Sequence, residues 1–305
     1  MISIIYSFKN EESNIPELID RTIKTCKKIS EEYEVIFVDD KSTDKSKEII
    51  KSHILKNNKI KYILMNRTFG TSPCVLAGIE NSQGDYVVYL DSDLQDPPEL
   101  IEEMIKKAKE GYDIIHTKRK NREGENFFKL LLTNFAYFIL NKILFIKLEK
   151  NSGDFKLLSR KVANKILDMK EKDPFLRGLP SWTGYKNTII YYDRAERFRG
   201  ETKFPLLSST NPYKEFFRAV TSLSFLPIYI ILITGAISFL ICLVMLLYII
   251  LINNFTNSLF LLIILFCFST IQLSIGFLGI YIERILKNTS NRPSYIVSEK
   301  LGFNK

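Results

Sequence analysis

Asp91-Ser92-Asp93-Leu94-Gln95-Asp96-Pro97-Pro98 follows an apolar run, Tyr86-Val87-Val88-Tyr89-Leu90, whose length and β-branched content suit a buried strand. Two carboxylates one residue apart at a strand end, with an amide oxygen two residues on, make an oxygen-rich cluster. Such a cluster suits a hard divalent cation that also meets substrate phosphates, Mg²⁺ or Mn²⁺. Pro97 and Pro98 stop the strand, and Pro98 can open the helix that Glu99-Leu100-Ile101-Glu102-Glu103 begins. An isolated Asp-x-Asp is more often an acidic turn that caps a helix, so its surroundings decide between the two.

On the N-terminal side, Ile2 to Ser7, Glu34 to Val38 and Ile60 to Met65 read as strands. Helices are expected from Ile15-Pro16, with Asn14 as cap, then over Lys45 to Leu55 and Thr71 to Asn81. A helix from Glu99 to Lys109 leads to a further strand, Tyr112-Asp113-Ile114-Ile115-His116. This alternation predicts a mainly parallel sheet with helices on both faces. Ligands of such sheets bind beyond the carboxyl ends of the strands. Asp39-Asp40 and Asp91-Ser92-Asp93 both stand at such ends, which helix capping would not require of both. Neither Gly-x-Gly-x-x-Gly nor a Walker loop occurs, so a nucleotide would be held by carboxylates and metal rather than a glycine cradle. His53 in a charged helix and His116 at a strand end read as structural.

The chain has 305 residues, 46% hydrophobic and 25% charged, with a formal charge of +9. The two properties are segregated: no Asp, Glu, Lys or Arg occurs between Arg218 and Glu283. A soluble domain is therefore followed by a membrane domain. Excess positive charge fits nucleic acid, an anionic membrane surface or phosphorylated substrates. With apolar runs in the same chain and no nucleic-acid motif, the lipid reading leads. The four cysteines, Cys26, Cys74, Cys242 and Cys267, lack metal or paired spacing and read as reduced core residues of a cytosolic domain. The first apolar run, Ile2 to Tyr6, is too short for a signal-peptide core.

Leu226 to Ile252 and Leu259 to Ile282 each exceed the roughly 20 residues a bilayer needs. The polar turn Asn253-Asn254-Phe255-Thr256-Asn257 makes them a hairpin. Arg218 precedes it, and Arg284, Lys287 and Arg292 follow, while the turn has no positive residue. The positive-inside rule puts both flanks, and the soluble domain, in the cytoplasm. Phe127 to Leu148, apolar but interrupted by Lys129, Lys142 and Lys147, reads as an interfacial helix, with a buried core helix as the alternative. Tyr213 to Leu223 reads as a second interfacial helix. Gly276 and Gly279 permit close helix contacts, which leaves a homo-oligomer open.

Val38-Asp39-Asp40-Lys41-Ser42-Thr43-Asp44 together with Asp91-Ser92-Asp93-Leu94-Gln95-Asp96-Pro97-Pro98-Glu99 resembles an inverting family-2 glycosyltransferase of the GT-A fold. Arg119-Lys120-Asn121-Arg122-Glu123-Gly124-Glu125, Gly153-Asp154-Phe155-Lys156-Leu157-Leu158 and Phe175-Leu176-Arg177-Gly178-Leu179 narrow the resemblance, as does Arg197-Phe198-Arg199-Gly200-Glu201-Thr202-Lys203. Together they look like the polyprenyl-phosphate sugar transferases, the bactoprenol glucosyltransferase and dolichyl-phosphate mannose synthase group. The resemblance implies a metal held by Asp91, Asp93 and Gln95, and a nucleotide met by Asp39, Asp40 and Asp91. It implies a catalytic Asp154, as base or as positioning group. Arg119, Arg122, Arg197 and Lys203 are the implied ligands of the acceptor phosphate or the diphosphate. Lys41, Lys9 and Thr71-Ser72 depart from the family pattern near the expected donor pocket, which bears on the sugar rather than the reaction.

The expected fold is thus α/β, a Rossmann-like GT-A domain followed by a two-helix transmembrane hairpin. The domain covers residues 1–210, a juxtamembrane amphipathic helix 211–225, the hairpin 226–285 and a cytoplasmic tail 286–305. The expected reaction moves one sugar from a nucleotide diphosphate, UDP-glucose first, to polyprenyl (undecaprenyl) phosphate at the cytoplasmic face of the bacterial inner membrane. Two alternatives are a different donor sugar (N-acetylhexosamine, mannose or a modified pentose) and a non-catalytic nucleotide-sugar-binding adaptor or flippase component.

Overall fold

The computed structural model describes residues 1–120, 152–172, 174–193, 220, 224, 226–252, 257–290 and 292–303. The expected interfacial helix over 127–148, and all of 213–223 except Val220, lie outside the described residues.

Eight strands form one sheet in the order β7-β5-β6-β4-β1-β2-β3-β8. They are β1 (Ile2–Phe8), β2 (Tyr33–Asp39), β3 (Ile60–Met65), β4 (Tyr86–Asp91), β5 (Ile114–Arg119), β6 (Ser152–Ser159), β7 (Asn187–Tyr192) and β8 (Val297–Leu301). The half made of β4, β1, β2 and β3 is parallel throughout. β6 is antiparallel to both β4 and β5, β7 is parallel to β5, and β8 is antiparallel to β3. The sheet is therefore mixed: the strands expected from sequence, β1 to β5, all run the same way, and β6 and β8 run against them.

The helices are α1 (Ile15–Ile29), α2 (Ser46–Ile54), α3 (Thr71–Glu80), α4 (Ile101–Lys109), α5 (Arg160–Asp168) and the short α6 (Leu179–Trp182), then α7 (Leu226–Ile252) and α8 (Asn257–Thr289). Every residue of β1 and β2 is buried, as strands covered on both faces require. One core layer joins Ile4, Tyr6 and Phe37 to α1 and α4, and the other joins Ile5, Ile36 and Val38 to α3, α5 and α6. Asn14 precedes α1 but does not cap it, since its amide Nδ2 donates to Glu11 Oε2 at 2.6 Å. A 3₁₀ turn, Pro98–Leu100, leads into α4.

The segment expected to be a tail instead supplies β8, whose residues alternate between half-buried and exposed along the sheet edge. Its polar Ser298-Glu299-Lys300 centre hides the strand from hydrophobic patterning. Lys47 and Lys51 reach Glu299 at 2.5 and 3.6 Å. Gly302 ends β8 at φ 78°, where a Cβ would stand 2.6 Å from the Ile60 carbonyl oxygen, so only glycine suits this turn. The two long helices α7 and α8 pack on one another. Among the described residues, Phe266–Thr289 is the one stretch long and apolar enough to cross a membrane. Arg284 of α8 pairs with Glu171 at 3.1 Å, joining the helix to the segment after α5, and Tyr281 donates to the Ser224 carbonyl just before α7.

Buried Glu34 ties three parts of the amino-terminal edge, accepting bonds from Ser3 Oγ, Lys61 Nζ and the Gln83 amide. Burial raises its pKa, but these donors outweigh that and hold it below the ordinary value. Removing one member of a buried pair strands the other charge. Glu34→Ala is expected to destabilise the protein by about 3 kcal/mol, read from urea unfolding.

Candidate active site

Parallel pairing brings the carboxyl ends of β1, β2 and β4 to one edge. Ser7 stands beside both Val38 and Asp91, and Phe8 beside Asp39, so a single strand separates the two acidic ends. β6 runs the opposite way, and its start, Gly153-Asp154, therefore arrives where β4 ends. β5 runs antiparallel to β6, and β7 parallel to β5, which adds their last residues, Arg119 and Tyr192, to the same edge. Asp39, Asp91, Asp154 and Arg119, read separately from sequence, are thus brought together.

Asp39 and Asp40 each already hold protein groups. Asp39 Oδ1 accepts the Ser42 amide at 2.7 Å and Oδ2 the Tyr62 hydroxyl at 2.7 Å. Asp40 accepts the Phe69 and Gly70 amides at 2.6 and 3.0 Å. The pair shapes the two loops flanking the edge, and each carboxylate keeps lone pairs beyond these bonds.

After β4 the backbone turns sharply. Leu94 takes a left-handed conformation, φ 60°, with its side chain buried. A bulky residue is rarely found there, and such strain collects at functional turns. Asp93 Oδ1 accepts the Gln95 amide at 3.2 Å, so Asp91, Asp93 and Gln95 share one tight loop. The Asp91 carboxyl is pushed up to about 7, first by burial and then by the charges of Asp154, Asp96 and Asp93. That crowding of negative charge is the observation that fits a cation: it would be relieved by one. Among the described residues no group of three His, Cys, Asp or Glu side chains converges as a metal cage. Mg²⁺ or Mn²⁺ shared with phosphates requires only one or two carboxylates.

Four partners of the site were not assigned roles from sequence. Arg177 grips Asp154 with both arms, Nε to Oδ1 at 3.0 Å and a terminal nitrogen to Oδ2 at 2.8 Å. Burial alone would raise the Asp154 pKa, but Arg177, with Lys156 and Arg119, reverses this and holds it well below the carboxylate range. Asp96, 1% exposed, accepts the Tyr192 hydroxyl and lies 3.9 Å from the Arg119 guanidinium, whose Nε also reaches Tyr192 at 3.3 Å. Arg119, expected at the acceptor or diphosphate, is thus locked by Asp96 and Tyr192 with 18% of its side chain exposed. Gly153 leaves it room, since a Cβ there would stand 3.3 Å from the guanidinium. Arg177 and Lys156 lie in quoted motifs and Asp96 in the opening stretch, while Thr188-Ile189-Ile190-Tyr191-Tyr192 carries the β-branched and aromatic signal of a strand. Arg122, Arg197 and Lys203 lie outside the described residues. Trp182, at the end of α6, is 53% exposed.

Residues 3–167 match the family described as Glycosyl transferase family 2. The chain is 39% identical to the uncharacterized glycosyltransferase YkcC of Bacillus subtilis over 99% of this chain and 94% of that protein. It is 33% identical to the bactoprenol glucosyl transferase of Shigella phage SfII, over 98% of this chain and 97% of that one. Among solved structures, S. aureus TarS 1-349 in complex with UDP-GlcNAc overlaps 72% of this chain and 65% of that chain at 19% identity and TM-score 0.48. The family match over 3–167 and the likeness over nearly the whole chain to a named glucosyl transferase make the protein a hexosyltransferase that belongs to glycosyl transferase family 2.

Proposed function

We propose that the enzyme transfers one hexose from a nucleotide diphosphate, UDP-glucose first among donors, to polyprenyl phosphate at the cytoplasmic face of the bacterial inner membrane. The observation that carries this reading is the convergence of Asp39, Asp91, Asp93 and Asp154 on one sheet edge in a chain alike over its full length to a bactoprenol glucosyl transferase.

Asp91, Asp93 and Gln95 would hold Mg²⁺ or Mn²⁺, which stabilises negative charge on the departing diphosphate. Asp39 and Asp40, already fixing both flanking loops, have capacity left for the base or ribose of the nucleotide. In the transfer, the bond between the anomeric carbon and the diphosphate oxygen breaks as an acceptor phosphate oxygen bonds the opposite face, inverting the configuration. A phosphate monoester is largely ionised near neutrality, with a second pKa of about 6, and needs little proton removal. Asp154, held ionised by Arg177, is a weak base, so positioning and charge balance at the reacting centre suit it better. Arg119, with Arg122, Arg197 and Lys203, is the proposed cationic set for the acceptor phosphate or diphosphate.

Topology supports the membrane part of the reading. β8 follows α8 in the chain yet lies in the same sheet as β1 to β3, so residues 226–289 return to the side they leave. A crossing by Phe266–Thr289 therefore implies a second one, for which the 27-residue α7 has sufficient length. We read α7 and α8 as a transmembrane hairpin between a domain of residues 1–210, with its juxtamembrane segment 211–225, and a C-terminal segment on the cytoplasmic side.

Asp93→Ala is expected to lower transfer from UDP-glucose to undecaprenyl phosphate by at least about 100-fold. Wild-type turnover in that variant would sink the metal role, and mass analysis of the lipid product across a donor panel would name the sugar. A second expectation concerns pH. Because the Asp91 carboxyl is raised, protons compete with metal below about pH 7 and cease to compete above it. Mn²⁺ affinity, titrated by calorimetry, should weaken as pH falls through that point, with proton release on binding. Asp91→Asn should bind less tightly and lose the slope.

A further inference from the structure

Lys156 sits in the middle of β6, 0% exposed, on the same face as Asp154 two residues before it. The strand register places Tyr89 of β4 on one side of it and His116 of β5 on the other. Around this row lie Ile114, Leu158, Leu176 and Leu179. Tyr89 contributes a buried hydroxyl with no hydrogen-bond partner among the described residues, and His116 meets Ser181 at 3.4 Å. Burial, with the charge of Lys156, pushes the His116 pKa down to about 3, so it stays neutral and cannot balance the ammonium.

Among the described residues one hydrogen bond reaches that ammonium: Nζ donates to the main-chain carbonyl of Arg177 at 3.3 Å. Burying this charge is expensive even with the Asp154 carboxylate acting on it, and an apolar side chain of the same length would fill the space without that penalty. What the ammonium holds is the backbone of the residue whose guanidinium grips Asp154. The segment bearing Arg177 is anchored beyond it as well. Leu176 and Leu179 pack into the core, and Glu171 and the Lys172 amide meet Arg284 and Asn288 of α8. Among the described residues it is Lys156 that holds the Arg177 carbonyl itself, and a two-armed guanidinium–carboxylate grip tolerates little rotation of its backbone.

We propose that Lys156 is a positioning residue, whose buried ammonium fixes the Arg177 backbone so that the Arg177 guanidinium stays clamped on the Asp154 carboxylate at the reacting centre. Its effect on turnover rests on the function proposed above; its effect on the clamp does not. Lys156 touches no substrate in this arrangement and acts through Arg177.

The test uses the full-length protein in detergent, with Lys156→Met, Lys156→Arg and Lys156→Gln. Hydrogen exchange of peptides covering residues 174–184, without substrate, should speed up about tenfold in Lys156→Met and remain near wild type in Lys156→Arg. With UDP-glucose and undecaprenyl phosphate, Lys156→Met should lower kcat about 100-fold while the donor KM changes little, and Lys156→Arg should restore most of the rate. In an Arg177→Ala background the same Met substitution should add almost nothing, because the clamp is already gone. Unchanged exchange, an unchanged kcat, an Arg variant as impaired as the Met variant, or full additivity with Arg177→Ala would each overturn the proposal. If Lys156→Met does not fold, Lys156→Gln, too short to span the bond, takes its place with the same expectations. Should exchange respond as expected while wild-type protein transfers no sugar to undecaprenyl phosphate, the proposed acceptor fails and the role of Lys156 stands.

Discussion

The reversed direction of β6 is the constraint on which the site depends. A wholly parallel sheet would bring only strand ends to the carboxyl edge. A strand inserted antiparallel between β4 and β5 brings its beginning there, and with it Asp154. Tyr89 pairs with Lys156, so two residues further along, beyond the last paired position, Asp91 and Asp154 approach one another and each feels the other's charge. Opposite environments then separate the two carboxyls. Burial among other carboxylates raises Asp91, while Arg177 lowers Asp154.

Charge at this edge is organised rather than cancelled. Arg119 with Tyr192 attends Asp96, and Arg177 with Lys156 attends Asp154. Asp91, raised by burial and by the carboxylates around it, ends β4 where the strained loop of Asp93 and Leu94 begins. A site built this way is pre-set to accept positive charge at one point while its other carboxylates stay fixed. That is the form electrostatic stabilisation of a leaving diphosphate requires.

The C-terminal strand connects this chemistry to the long helices. β8 adds to the edge of the sheet through β3 and is pinned by Lys47, Lys51 and the close turn at Gly302. On the other side of the same connection, Arg284 and Asn288 of α8 hold the segment that carries Arg177. Among the described residues the helices are therefore joined to the sheet domain at the sheet edge and beside the Arg177–Asp154 clamp.

Much of this was legible in the sequence, because it rests on local pattern. Apolar β-branched runs ending in Asp39 and Asp91, amphipathic stretches at helical spacing and a charge-free interval from Arg218 to Glu283 identified strands, helices and the long apolar helices near the C-terminus. The motifs likewise pointed to Asp91, Asp93, Gln95 and Asp154. The rest depends on contacts between residues far apart in the chain, which no local period encodes. β6 carries a buried lysine and an aspartate where a strand pattern would have apolar residues, and β8 is a half-exposed edge with a polar centre. Only the tertiary structure decided that Arg177, 23 residues beyond Asp154, is its partner, and that Arg119 is held by Asp96 and Tyr192. Strand direction and pairing order are set by packing across the whole sheet, and they determine which charges meet.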